Sequence, residues 1–192
     1  DLVEGCIYSG DEEYPIQIIG ISSLKEDGNG IWTWAWEYSD NFDKKLLTFA
    51  NNIKWVGRDL KLGVFYKSKL KLSDEVNGNI LSAIACGISG ENLAFDNIYY
   101  SLNSMVIYYA IKGLPNEVFS SVNLSEFVDI TSSCTDKHTL NEKLFVESFL
   151  KWNKTKYEWQ GNKIIADFGK DGKLEIEFEK IGDKYKIKKI LV

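Results

Sequence analysis

His138 is the single histidine of the 192-residue chain, and Cys134 stands four residues before it in "CTDKHTL". A thiol beside an imidazole is the pairing by which cysteine nucleophiles are activated. Such partners normally meet from separate elements, and this local spacing matches no nucleophile signature. One imidazole also leaves no second histidine for a metal pair. No catalytic role is assigned to either residue, and the segment reads as an exposed loop or helix start. The cysteines Cys6, Cys86 and Cys134 are odd in number and widely spaced, without C-x-x-C. They predict neither a disulfide framework nor a zinc site, and they fit a reducing, cytoplasmic compartment.

Carboxylates are the other reactive inventory. Glu37, Asp40, Asp43 and Asp96 could converge near the tryptophans. A hydrolase of the glycosidase kind would need two of them held about 5–10 Å apart across a sugar-sized cleft. Plainer roles compete: Asp43 as a helix cap, Asp40 in a turn, and Glu37 on the strand face away from the indoles. Neither phosphate-binding glycine motif occurs, nor G-x-S-x-G, nor H-E-x-x-H. "DFGKDGKLE" lacks a ligand at the third position of a calcium loop. No cofactor and no metal are expected.

The tryptophans are the remaining candidates. In "GIWTWAWEYS", Trp32, Trp34 and Trp36 occupy alternate positions. On a strand they share one face, with Thr33, Ala35 and Glu37 on the other. Each indole buries on the order of 150–250 Å², so something must cover that face. A helix drawn from 43–58 or 73–88 would make it ordinary core. An open edge would make it a binding floor, with Trp32, Trp34 and Trp36 as ligand-binding residues whose N–H groups a dry core satisfies poorly.

Charge narrows the partners. The formal net charge is −5, and Arg58 is the only arginine among 23 basic residues. Arginine is the residue that forks onto phosphates and guanines, so nucleic acid is not an expected partner. Anionic membrane surfaces are disfavoured on the same ground. No apolar run approaches the ~20 residues of a membrane span, and no signal peptide is visible. The chain begins at Asp1 without a methionine, which leaves room for an upstream segment.

The elements that would position these residues follow from periodicity. "YPIQIIGISSL" and "IWTWAWEY" read as a hairpin over 14–38, closed by Asp27-Gly28 and Asn29-Gly30. Residues 2–9 make a third strand. Leu46, Leu47, Ala50, Ile53 and Gly57 form one face of a helix capped by Asp43. Residues 63–72 are a strand or a loop. Ser73 caps a second helix whose stripe is Val76, Ile80, Ala83, Ile84 and Gly87; its small residues suggest close packing on a sheet. Two tyrosine-rich strands flank Asn103-Ser104 within 94–114.

"PNEVFSSVN" marks a boundary. Beyond it, Thr139 and Glu142 form a capping box for a helix facing inward through Leu144, Phe145, Ser148, Phe149 and Trp152. Strands at 156–160, 163–168, 173–181 and 184–192 follow. A two-residue Gly182-Asp183 turn pairs Ile181 with Lys184, which sets Glu179 against Lys186, Phe178 against Ile187 and Glu177 against Lys188. One extra residue at Lys188-Lys189 restores apolar pairing, Ile176 with Ile190 and Leu174 with Val192, so a β-bulge is predicted there.

The strand "YPIQIIGISS", the run "GIWTWAWEYS", a helix ending "WVGRDL", then "ILSAIACGISG" and the tyrosine-rich pair resemble a family of uncharacterised bacterial proteins bearing a G-x-W-x-W-A-W signature, over about residues 1–113. The resemblance carries no known activity and transfers no catalytic residue. Members often continue into an Ala-Asn segment where this chain has Glu37-Tyr38. The helix and meander ending "GDKYKIKKILV" resemble the cystatin-like and nuclear-transport-factor-2-like group, which implies a cone-shaped pocket over about 124–192.

The fold expected is α+β: an antiparallel sheet packed by two helices over 1–113, a linker at 114–123, and a helix plus antiparallel β-meander over 124–192. The function expected is a soluble, non-enzymatic binding or protein-interaction module with an unidentified protein or small-molecule partner. A toxin-neutralising protein, whose acidic surface would suit a basic nuclease, and a carboxylate-based hydrolase are the alternatives.

Overall fold

Isoleucines at 16, 18, 19 and 21 make strand β2 (Glu12–Ser23) the buried spine of the first unit. A computed structural model describes residues 1–23, 30–74, 76–101 and 104–192 of the chain. Contacts divide it into two compact units, 1–118 and 119–192. The architecture is α+β, with two antiparallel sheets. In the first unit, β1 (Cys6–Ser9), β3 (Ile31–Trp34), β4 (Lys69–Lys71), β5 (Ala94–Tyr100) and β6 (Met105–Ile111) join β2 in a sheet of order β4-β3-β2-β6-β5, with β1 on β2. Helices α1 (Thr48–Asp59) and α2 (Gly78–Ile88) pack on it. The expected Asp27-Gly28 and Asn29-Gly30 turn lies outside the described residues.

The expected 31–38 strand is shorter than its alternation implied. It ends at Trp34, and Ala35–Tyr38 winds into a 3-10 turn. The cause is on the neighbouring strand. Gly20 pairs with Trp34, but Ile19 is an extra residue in the β2–β6 ladder. A bulge bends and twists its strand, and this one lies where Ala35 and Trp36 would have to pair.

Asp43 accepts the Lys45 amide at 2.9 Å, as its cap role required, though it opens a 3-10 turn (Lys44–Leu47) that leads into α1. Leu46, Leu47, Ala50, Ile53 and Gly57 are buried as the periodicity predicted. Helix α2 departs from the prediction. Its cap is Asn77, which accepts the Ile80 amide, while Ser73 closes a separate turn with Val76. The buried face is Gly78, Leu81, Ser82, Ala85 and Cys86, and the predicted Ile84 points outward. The small face wins because it lets the helix approach the sheet: a Cβ on Gly78 would stand 2.2 Å from the Tyr108 ring. Close packing through small residues was correctly expected, but on the wrong stripe.

The second unit adds a helix that the periodicity does not predict. Helix α3 (Leu124–Lys137) starts from a reciprocal capping box between Asn123 and Glu126. It precedes α4 (Glu142–Trp152) and the meander β7 (Lys156–Gln160), β8 (Lys163–Asp167), β9 (Lys173–Ile181) and β10 (Lys184–Leu191), in order β10-β9-β8-β7. The capping box predicted at Thr139 and Glu142 does not form. Glu142 is instead buried, accepting Lys186 Nζ at 2.7 Å and the Ile187 amide on the edge of β10. That reach rotates α4, so Val146 and Leu150 enter the core while Leu144 and Trp152 stay exposed.

The last hairpin follows the predicted register. Gly182 has φ of 63° and Ile181 faces Lys184. Lys186 faces Glu179, Ile187 faces Phe178, and Ile190 faces Ile176, with the bulge at Lys188. The extra residue makes Lys189 the backbone partner of Glu177, while Lys188 Nζ still reaches the Glu177 carboxylate at 2.8 Å.

Two substitutions test this packing. Gly20→Ala should cost about 1–3 kcal/mol in chemical denaturation, because the new methyl would meet the Trp32 ring at 2.3 Å. Glu142→Ala should cost about 2–3 kcal/mol, since it strands a charged amine and an edge amide together. A melting curve unchanged by either would contradict the corresponding contact.

Candidate functional site

Trp32 and Trp34 are wholly inaccessible, and Trp36 keeps 8 % of its surface. Trp32 meets Trp34 edge-on at 5.2 Å and Tyr108 at 5.2 Å, and Trp34 meets Phe65 at 5.5 Å. Trp34 Nε1 donates to the Val64 carbonyl at 2.9 Å. The N–H groups of Trp32 and Trp36 are buried without an acceptor among the described residues. Lys54 Nζ stands 3.6 Å above the Trp36 ring. Trp32 and Trp34 therefore present no surface to a ligand here. The cover anticipated from the helices is present, with Leu46, Leu47, Phe49, Ala50, Ile53, Leu81 and Ala85 in the same cluster.

The reactive groups fall on several elements. Cys134 lies within α3 rather than in a loop, and His138 is the half-buried residue that ends that helix, its amide bonded to the Cys134 carbonyl. Burial raises the Cys134 thiol, partly offset by Lys137, which works against a thiolate nucleophile. Burial pushes the Cys86 thiol up to about 12, as expected of packed core. Asp43 is engaged as a cap, Glu37 and Asp40 are exposed, and Asp96 sits on β5. Strand β5 is three strand spacings, roughly 14 Å, from β3, the strand that leads into Glu37 and Asp40. Among the described residues no group of three or more metal-ligating side chains converges.

What stands out instead is an edge. Strand β5 closes one side of the first sheet and is exposed from Asp96 to Tyr100. Ile98, Tyr99 and Tyr100 keep 44, 56 and 39 % of their surface. The remaining described edges are protected. β1 has four residues, and β4 has three, two of them lysine. β7 carries Lys156, Glu158 and Gln160, and β10 is lysine-rich, bulged and capped by Glu142. Short length, lysines and bulges are the ordinary means of blunting an edge, and β5 has none. No lysine or arginine occurs between Lys71 and Lys112. That gap was visible in the sequence and is the signal that would have singled out Ile98, Tyr99 and Tyr100.

The family model for DUF6882, a family of unknown function, matches residues 1–114, more than half of the chain. The chain belongs to this family. The match agrees with the expected uncharacterised domain over 1–113, and it contains the tryptophan core and the β5 edge of this DUF6882 protein. No curated protein and no solved structure matches the chain. Among the described residues no helix is long and apolar enough to cross a membrane.

The second unit, outside that match, has a filled interior where a cone-shaped pocket was expected. Phe127, Val146, Leu150, Ile164, Leu174, Ile176 and Phe178 are buried together. Two clefts of about 440 Å³ each open in this unit, one lined by residues including Asn123, Asp129, Asp171 and Val192, the other by residues including Ser121, Asn153, Lys156 and Phe168. On α4, Lys143 Nζ lies 4.5 and 4.6 Å from the ring centres of Trp159 and Tyr185. One turn on, Glu147 accepts from the Tyr157 hydroxyl at 2.9 Å and from Trp159 Nε1 at 3.5 Å, and pairs with Lys151 at 3.1 Å.

The Tyr157 hydrogen bond, then that from Lys151, holds the Glu147 carboxyl below its ordinary value of 4.5. A lowered native value stabilises the fold above the unfolded value, and that contribution is lost as pH falls through the native one. Glu147→Gln should therefore melt a few degrees below wild type at neutral pH, and the gap should close in acid below the carboxylate range. Thermal melts across pH read this directly; a gap independent of pH would contradict the assigned cause.

Proposed function

We propose that this DUF6882 protein is a non-enzymatic protein-interaction module that engages its partner by strand addition at the edge of β5. The single observation behind this reading is the open edge: seven residues with neither lysine nor proline, exposed from Asp96 to Tyr100, in a chain whose other described edges are blunted. Main-chain hydrogen bonds to an added strand would supply affinity, and the exposed Ile98, Tyr99 and Tyr100 would supply specificity. Tyrosine is favoured at such surfaces because it brings a large apolar ring and a polar end at low entropic cost.

The position of Asp96 on a separate strand from Glu37, Asp40 and Asp43, the cap role of Asp43, the half-buried Cys134 with its raised thiol and the buried indoles support a binding role over a catalytic one. In this reading Trp32, Trp34 and Trp36 are the rigid backing of the sheet and take no ligand themselves. The free cysteines support a reducing, cytoplasmic setting.

Affinity capture with two baits, the wild-type chain and Ile98→Lys, tests the reading. Ile98 is exposed, so the lysine should leave the fold intact while placing a charge at the middle of the edge. Wild type should retain a protein that the variant loses. Equal capture by the two baits, with matching melting curves, would sink the proposal.

A further inference from the structure

We infer that the strand added to β5 is the β5 of a second copy of this chain, paired antiparallel about a two-fold axis at Ile98. This inference rests on the reading of β5 as the interaction edge. It begins with which backbone groups look outward. The Lys112 amide donates to the Pro15 carbonyl of β2. Amides along a strand alternate in direction, so even-numbered residues of β6 turn to β2 and odd-numbered ones turn to β5. Met105, Ile107, Tyr109 and Ile111 pair with Tyr100, Ile98, Asp96 and Ala94. Those four β5 residues spend their backbone groups inward, which leaves Phe95, Asn97 and Tyr99 facing out. A separate observation agrees: the Asn97 amide donates to its neighbour's carboxylate, Asp96 Oδ1, at 2.8 Å.

A two-fold axis normal to an antiparallel ladder must place one residue opposite itself. Centring on Asp96 would oppose two carboxylates. Centring on Asn97 would set each Asp96 against the apolar side chain of Ile98 in the other copy. Centring on Ile98 avoids both, and it pairs five residues of each strand where centring on Tyr99 would pair three. Asn97 and Tyr99 of opposite copies then form hydrogen-bonded pairs with their outward amides and carbonyls. Ile98 meets Ile98 in the closer, non-hydrogen-bonded spacing, where side chains pack best. Asp96 falls opposite the Tyr100 hydroxyl at both ends, so the one charge of the strand gains a donor when its hold on the Asn97 amide is exchanged. Each of the three exposed large side chains of the edge gains a cross-strand neighbour in this register.

The full-length chain is examined by light scattering and equilibrium sedimentation. Wild type should form a dimer, and Ile98→Lys, which opposes two ammonium groups at the axis, should raise the dissociation constant by roughly 100-fold or more. Register is read by cysteine cross-linking in a Cys134→Ser background. Ile98→Cys should oxidise to a covalent dimer, because Cα atoms of a non-hydrogen-bonded pair lie about 4.5 Å apart, within disulfide range. Tyr99→Cys should not, being offset from its copy along the ladder. A monomeric wild type overturns the inference, as does a dimer indifferent to Ile98→Lys or one cross-linked by Tyr99→Cys and not by Ile98→Cys. Should Ile98→Lys fail to fold, the two cysteine variants decide alone. A monomer whose partner capture still depends on Ile98 removes the second copy and leaves the strand-addition reading standing. Mass and capture both unaffected by Ile98→Lys remove both.

Discussion

Gly20 lies on β2 beneath the indole of Trp32, where a Cβ would stand 2.3 Å from ring carbon Cζ2. The first unit depends on that contact. With no side chain at Gly20, the ring can settle against the strand, and this places it edge-on to Trp34 and against Tyr108 of β6. Tyr108 in turn needs Gly78, whose missing side chain opens the space that the phenol ring fills. Two glycines and two aromatic rings thus couple β3, β2, β6 and α2 in sequence. Each ring fills space that only a bare backbone could leave, so the packing tolerates no change of volume at either end. The N–H of Trp32, without an acceptor among the described residues, is a cost of that arrangement, on the order of 1–3 kcal/mol. The large apolar burial of the indole outweighs it.

The second unit is organised by a polar contact rather than a ring. Glu142 begins α4 and ends on the outer edge of β10, so one carboxylate fixes the helix's rotation and caps a strand. The charge is tolerable at 5 % exposure because Lys186 and a backbone amide share it. The Lys188 bulge lies immediately beyond, and the edge is closed by a bond, a bulge and a row of lysines. The two units therefore treat their outer strands differently: one closes its edge, the other leaves β5 open.

Much of this was legible in the sequence. The β9–β10 register followed from turn length and opposed charges, because period-two geometry leaves few alternatives once a two-residue turn is fixed. Helix α1 followed from its apolar face and Asp43. Local patterns failed where a choice depended on distant partners. In "NILSAIACGI" two stripes are nearly equally apolar, and the selection of Ser82, Ala85 and Cys86 over Ile80 and Ile84 reflects how closely Tyr108 requires α2 to approach. Glu142 looked like the far half of a capping box, but Lys186 and Ile187, more than forty residues on, claimed it. Alternation of Trp32, Trp34 and Trp36 implied a strand to Tyr38, while the bulge that ends it belongs to β2. Helix α3 is faint in the sequence because Ser, Thr and Asp dominate its outer turns and dilute the stripe of Leu124, Phe127 and Thr131.

The open edge of β5 is not wholly bare, and the manner of its partial closure bears on its role. Of three outward amides, the one at Asn97 is satisfied from within the strand, by the carboxylate of Asp96, whose other oxygen lies 3.4 Å from the Tyr109 hydroxyl. A fixed guard would be a lysine or a proline, which repels or blocks every incoming strand alike. An aspartate folded back onto its own neighbour is different. It occupies one donor at the centre of the edge, and it can let go when a better arrangement of donors arrives. Tyr99 and Tyr100, further along the strand, bring such donors at their ring ends. In the proposed reading, an edge so constructed would resist chance pairing with chains that offer its carboxylate nothing, and would yield to a strand that carries a hydroxyl at the matching position. Selectivity of this kind comes from the cost of stranding Asp96 as much as from any attraction.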